Sequence, residues 1–182
     1  MNELLKDEII NIIKNIPINY FNRRERDFAY ELYAQLRSNL KLPKNIEVTS
    51  ETYKTIYFDD NQFYLPLIGN IMNQQINKKR YPDLVIHQYD SINPNNQLFA
   101  FEIKMRINIP DIIKDLKKLV MYCLGNLQYQ KGILILSRNN NIDRIKMNEN
   151  IRNILKEIKQ IEIWNINSNK EISIINYQNV NN

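Results

Sequence analysis

The sequence predicts an α/β or α+β fold with its sheet held between helices. Three observations carry this. Amphipathic helical repeats bracket the chain. A cluster of short apolar runs lies between them. One of those runs, "KGILILS" at 131–137, is apolar throughout, the pattern of a strand covered on both faces. The length of 182 residues suits one domain with a sizeable core, and 43% apolar content with 11 Tyr places the chain among globular proteins. The expected organisation is a single domain over 1–182. It has a core at 22–137, an N-terminal helix within 1–17, and a C-terminal helix and strands at 138–182.

The elements follow in order. Residues 3–15 place Leu4, Leu5, Ile9, Ile12 and Ile13 at helical spacing, and Pro17 ends that helix. Glu3, Asp7 and Glu8 within it make a poor signal peptide, so an intracellular, cytoplasmic protein is expected. Residues 22–40 repeat the helical stripe with Phe28, Leu32, Leu36 and Leu40. Asn22 is a plausible N-cap, with Glu25 three residues on completing a capping box. "LPK" at 42–44 breaks the helix, and 46–58 reads as a strand or hairpin from its Val, Thr and Tyr content. A less regular stretch runs to about residue 79. "PDLVIHQY" and "QLFAFEIKM" are strands joined by the turn "DSINPNN". A helix then begins at Asn108 or Asp111, with Pro110 in its first turn, and stops at Gly125 or Asn126. After strand 131–137, residues 141–160 read as one long helix, and "IEIWNI" and "EISIINY" as short terminal strands.

Composition excludes several classes. No run of about 18 apolar residues is present, so no transmembrane helix and no membrane partner are expected. The single cysteine, Cys123, excludes an internal disulfide framework and a cysteine-built zinc site; it sits on an apolar helical stripe and reads as core. The net charge of +5 suits a polyanionic partner. No Gly-rich loop supports a phosphoesterase acting on small nucleotides.

The chemistry lies in the acids that interrupt the two central strands. Alternate strand residues share a face. Phe99, Phe101, Ile103 and Met105 face one way; Ala100, Glu102 and Lys104 face the other, with the last two about 7 Å apart. Asp83, Val85 and His87 share one face of their strand. If the strands are neighbours, Asp83 approaches Glu102. Paired carboxylates repel and resist ionising. A hard divalent cation, Mg²⁺ or Mn²⁺, removes that cost, and an adjacent lysine can hold a water or a phosphate oxygen. Such a group fits metal-assisted hydrolysis of a phosphodiester. His87, the only histidine, reads as structural or surface. Lys78, Lys79 and Arg80 precede Asp83 and Arg106 follows Lys104; these flank the site and suit phosphate contacts.

"PD" at 82–83 followed by "EIK" at 102–104 resembles the PD-(D/E)xK nuclease superfamily. The order of elements from 22 to 137 is similar to that superfamily's core: helix, three-stranded meander, helix, strand. The resemblance implies a restriction-endonuclease-like mixed sheet flanked by helices and a Mg²⁺- or Mn²⁺-dependent nuclease. DNA is its implied substrate, cut endonucleolytically, with a homodimer as a common assembly. Asp83 and Glu102 would hold the metal, the Ile103 carbonyl would complete its sphere, and Lys104 would orient the attacking water. "ERDFAYELYAQLR" resembles the first helix of archaeal Holliday junction resolvases, which implies Glu25 as a further metal-site acid. Glu31 competes for that role but lies off the apolar stripe. "DLKKL" at 115–119 resembles a D-x-x-K-L pattern of some members, and Lys118 joins the expected nucleic-acid contacts. The alternative is a catalytically inactive nucleic-acid-binding or subunit protein on the same fold.

Overall fold

The computed structural model describes residues 2–50, 82–89, 91, 93–106, 108–125, 127–137 and 142–180. Two helices come first, α1 (Asn2–Asn15) and α2 (Glu25–Asn39). Strands β1 (Glu47–Ser50), β2 (Leu84–His87) and β3 (Gln97–Lys104) follow. Then come α3 (Ile109–Leu124), β4 (Lys131–Ser137), α4 (Ile142–Lys146), α5 (Glu149–Glu157), β5 (Ile161–Ile166) and β6 (Ile172–Ile175). The six strands form one mixed sheet in chain order. β1, β2 and β3 are an antiparallel meander. β3, β4 and β5 run parallel, and β6 returns antiparallel to β5. The expected mixed sheet between helices is therefore present. Among the described residues no helix is long and apolar enough to cross a membrane.

Strand alternation divides the core in two. Phe99, Phe101 and Ile103 pack with Ile133, Ile135 and Trp164 beneath α1 and α2. Ala100, Leu134, Leu136, Ile161 and Ile163 face α3 and α5. Both faces of β3 and β4 are covered, which explains why those strands are apolar almost throughout. Gly132 sits where α3 presses closest on the sheet. A Cβ there would lie 2.7 Å from Ile161 Cδ1, 3.0 Å from Cys123 Sγ and 3.1 Å from Leu119 Cβ. Gly132→Ala is therefore expected to destabilise the fold by about 1–3 kcal/mol through overpacking. A thermal melt should show the transition falling by roughly 2–4 °C for each kcal/mol; an unchanged melt would mean that α3 can move away without loss.

Two expectations change. α2 starts at Glu25, because residues 20–22 form a separate 3₁₀ turn; Arg24 is its N-cap and no side-chain capping bond forms. The expected capping box from Asn22 is thus replaced by a first-turn carboxylate that is left for other partners. The long C-terminal helix is two helices, because Asn148 caps the second by accepting a hydrogen bond from Ile151 N–H at 3.2 Å. In the expected strand at 46–58, β1 takes up Glu47–Ser50, and residues 51–58 lie outside the described residues. Cys123 is core, as expected, and burial pushes its thiol pKa up. His87 is fully buried, with Nε2 3.0 Å from Thr49 Oγ1.

Candidate active site

The site forms where β2 ends against β3. Asp83 N–H donates to the Phe101 carbonyl at 3.1 Å, and the ladder continues through Leu84↔Phe101 and Val85↔Ala100. This register puts Asp83 on the face of Ala100 and Glu102. With no further β2 residue to pair with Ile103, its N–H donates instead to Asp83 Oδ2 at 2.7 Å. A buried backbone donor needs a partner, and the side chain supplies it. N–H and C=O of an extended residue point to the same side, so the Ile103 carbonyl also points towards the Asp83 edge.

Glu102 follows on the opposite face from Ile103 and is 1% exposed. Its Oε2 accepts from Lys118 Nζ at 2.8 Å, and its Oε1 is buried with no hydrogen-bond partner among the described residues. Lys118 Nζ also lies 2.8 Å from Asp115 Oδ1 one turn earlier on α3. Lys104 Nζ bridges Asp115 Oδ2 and Glu25 Oε1, both at 3.0 Å. A chain of charges thus runs Glu25, Lys104, Asp115, Lys118, Glu102, with Asp83 beside it. Four carboxylates face two ammonium groups. If all ionise, two negative charges remain in excess.

Burial first, and neighbouring like charge after it, shift the titration of the two strand acids. Burial raises the Asp83 pKa to about 6; the Ile103 N–H opposes this and the Glu25 charge adds to it. Burial and then the Asp83 charge push Glu102 up to about 8 against the pull of Lys118. Burial works against both charged amines, but their carboxylate neighbours outweigh it, and the pKa values of Lys104 and Lys118 rise. Both lysines are therefore cations at neutral pH.

Two recesses open on the cluster, with Glu25 lining both. The larger, about 680 Å³, is lined by Arg23, Arg24, Lys104 and Arg106, with Asp27 and Asp111 among its acids. The smaller, about 160 Å³, is lined by Arg26, Tyr30, Ser50 and Asp83. Arg24 and Arg106 have no ion-pair partner among the described residues.

The fold sorts the sequence-predicted residues. Asp83, Glu102, Ile103, Lys104 and Glu25 come together. Glu31 lies elsewhere, accepting from Gln35 Nε2 at 2.8 Å, so Glu25 is the helix acid at this place. Lys118 stands inside the cluster on Glu102 rather than on an outer phosphate-facing surface. Arg106 is exposed on the rim of the larger recess. Lys78, Lys79 and Arg80 lie outside the described residues. Asp115 is the member that site reasoning missed. Its signal was its place on the buried stripe of α3, between Ile112 and Leu116, where an unpaired carboxylate is costly.

The donor set suits a hard divalent cation. Glu102 Oε1 is a buried carboxyl oxygen with no hydrogen-bond partner among the described residues, and its ionised form is costly unless something positive meets it. The two charges in excess match one dication, and the available donors are all oxygens. Among the described residues no three His, Cys, Asp or Glu side chains are preassembled as a cage. The donors on hand are two carboxylates and a main-chain carbonyl.

No protein-family model, no curated protein and no solved structure matches this chain.

Proposed function

We propose that this protein is a metal-dependent nuclease of the PD-(D/E)xK kind. It would hydrolyse phosphodiester bonds in DNA as an endonuclease, in the cytoplasm. The observation that carries the reading is the meeting of Asp83 and Glu102 on one face at the open end of β2 and β3, with Lys104 two residues on. A clustered, largely buried pair of acids is unfavourable in a protein that only binds polyanions.

Asp83, Glu102 and the Ile103 carbonyl would hold Mg²⁺ or Mn²⁺, with Glu25 acting directly or through water. Such an ion, when bound, acidifies a water and stabilises charge on the scissile phosphate. Lys104 stays protonated, so its role is electrostatic: it donates hydrogen bonds to the attacking water or to a phosphate oxygen. It does not serve as a general base. Glu25 and Asp115 fix its ammonium from two sides, so its position needs no reorganisation during the reaction. Arg23, Arg24 and Arg106 line the wall leading to Lys104 and suit the flanking phosphates.

Single-turnover cleavage of linear, nicked and four-way-junction DNA with Mg²⁺ or Mn²⁺ tests the reading. Metal-dependent scission of at least one substrate is expected, abolished by EDTA. Binding without cleavage of any substrate would favour the alternative, an inactive nucleic-acid-binding or subunit protein. That alternative draws on one feature: both site lysines already have carboxylate partners, so the cluster is partly neutralised from within.

The rim supplies a separate prediction. Arg24→Ala with Arg106→Ala should weaken DNA binding about equally across sequences. It should also flatten the slope of log affinity against log salt by roughly one for each phosphate that is no longer neutralised. Fluorescence anisotropy over a salt series measures this. A loss confined to one sequence would instead indicate base reading.

A further inference from the structure

The oxygens of the acid cluster are unequally committed, and this bears on how many cations a site of the metal-dependent kind proposed above would take. Glu102 gives Oε2 to Lys118 at 2.8 Å and keeps Oε1 buried without a hydrogen-bond partner. Asp83 gives Oδ2 to the Ile103 N–H at 2.7 Å, and no described residue donates to its Oδ1. Asp115 meets an ammonium group on each side, Oδ1 with Lys118 at 2.8 Å and Oδ2 with Lys104 at 3.0 Å, the latter an ion pair without hydrogen-bond geometry, so its charge is already compensated twice. Glu25 has one oxygen on Lys104 at 3.0 Å. Each of the two strand acids therefore keeps one oxygen for a metal.

A two-metal site places its ions about 3.5–4 Å apart, and a carboxylate that spans them with one oxygen on each ion needs both oxygens free. Here the second oxygen of Glu102 already meets a cation, and that cation is tethered. Lys118 is carried on α3, anchored by Asp115 and 18% exposed. Two dications would also bring four positive charges to a cluster with two negative charges in excess.

We infer that the site takes a single divalent cation, between Asp83 and Glu102, and that the Lys118 ammonium fills the place a second cation would occupy. This rests on the metal-dependent reading. Lys118 is thus a positioning residue: it fixes the metal stoichiometry and the orientation of Glu102. It is not a phosphate-binding group.

Manganese counting tests this without any assay of cleavage. MnCl₂ is titrated into the wild-type protein by calorimetry, and the bound Mn²⁺ is examined by electron paramagnetic resonance. One ion per chain and an uncoupled six-line spectrum are expected. Lys118→Met frees Glu102 Oε2 and Asp115 Oδ1, so two ions per chain with an exchange-coupled spectrum are expected. Circular dichroism checks the variant's fold, and Lys118→Gln is the substitute if Lys118→Met fails to fold. Two ions or a coupled spectrum in the wild type would overturn the inference and leave the metal-dependent reading standing. One ion in a folded Lys118 variant would overturn the part given to Lys118. No Mn²⁺ binding by the wild type would remove the metal-dependent reading itself, and the inference with it.

Discussion

Lys104→Ala is expected to cleave DNA at least about 100-fold more slowly than the wild type while binding DNA and Mn²⁺ about equally well. A 100-fold loss is about 2.7 kcal/mol of transition-state stabilisation. The split follows from the contacts. Lys104 Nζ meets Glu25 and Asp115, and neither proposed strand ligand, Asp83 or Glu102, is among its ion pairs. Its removal leaves Asp115 paired with Lys118, so the buried acid keeps a counter-charge and the fold should survive. An ammonium aimed at charge that develops only in the reaction lowers kcat and spares binding. Pre-steady-state rates and anisotropy binding curves on the same preparation separate the two. A Lys104→Ala protein as fast as the wild type would remove the electrostatic role and favour the binding-module alternative.

The second large effect is on metal affinity with pH. Carboxylates must be ionised to bind a cation, and here the fold holds both proposed ligands towards their neutral forms. Between about pH 6 and 8 Asp83 is ionised and Glu102 is still losing its proton, so Mn²⁺ affinity should rise about tenfold per pH unit. Below about pH 6 both acids must give up protons and the slope should steepen; above about pH 8 it should flatten. Calorimetry in buffers of different ionisation enthalpy should detect close to one proton released per ion near pH 7. Without metal, the same shift has the opposite consequence for stability. The folded chain binds the Glu102 proton more tightly than the unfolded chain. This contribution is therefore full below the ordinary value of 4.5 and is lost as pH rises to about 8. Glu102→Gln should remove that loss. An affinity independent of pH from 6 to 8 would mean that no ligand carboxylate loses its proton in that range, and so would contradict a Glu102 ligand held towards its neutral form.

Much of this arrangement was legible because strand periodicity is a local property. The alternation in "LFAFEIKM" separated Phe99, Phe101 and Ile103 from Glu102 and Lys104. The apolar character of both faces argued for a central strand, and β3 does lie between β2 and β4. Asp83 joined Glu102 because Val85 pairs with Ala100, a register that the hairpin sets and that one residue of slip would have reversed. The helix acid followed from a stripe: Glu25 continues the line of Phe28, Leu32 and Leu36, and Glu31 does not.

What escaped the sequence depends on contacts between distant segments. Asp115 stands out in the sequence only as the first residue of the D-x-x-K-L pattern, and it gains a role only when α3 is laid on the sheet and Lys104 arrives from β3. Glu162 reads as a polar residue within an apolar strand. In the fold it is 2% exposed and held by Lys6 of α1, Lys131 of β4 and the indole N–H of Trp164. No local pattern links Lys6 to a residue 156 positions away. The split of the last helix was missed for a smaller reason. In the sequence Asn148 is one polar residue within a helical repeat; in the fold its side chain caps a new helix.

The most direct test of the central claim is the anomalous scattering of a crystal of the wild-type protein soaked in MnCl₂. One anomalous peak is predicted between Asp83 Oδ1 and Glu102 Oε1, within ligand distance of the Ile103 carbonyl and absent from Asp83→Asn crystals grown alike. A peak elsewhere on the protein, or none in a soak at which calorimetry shows saturation, would contradict the account.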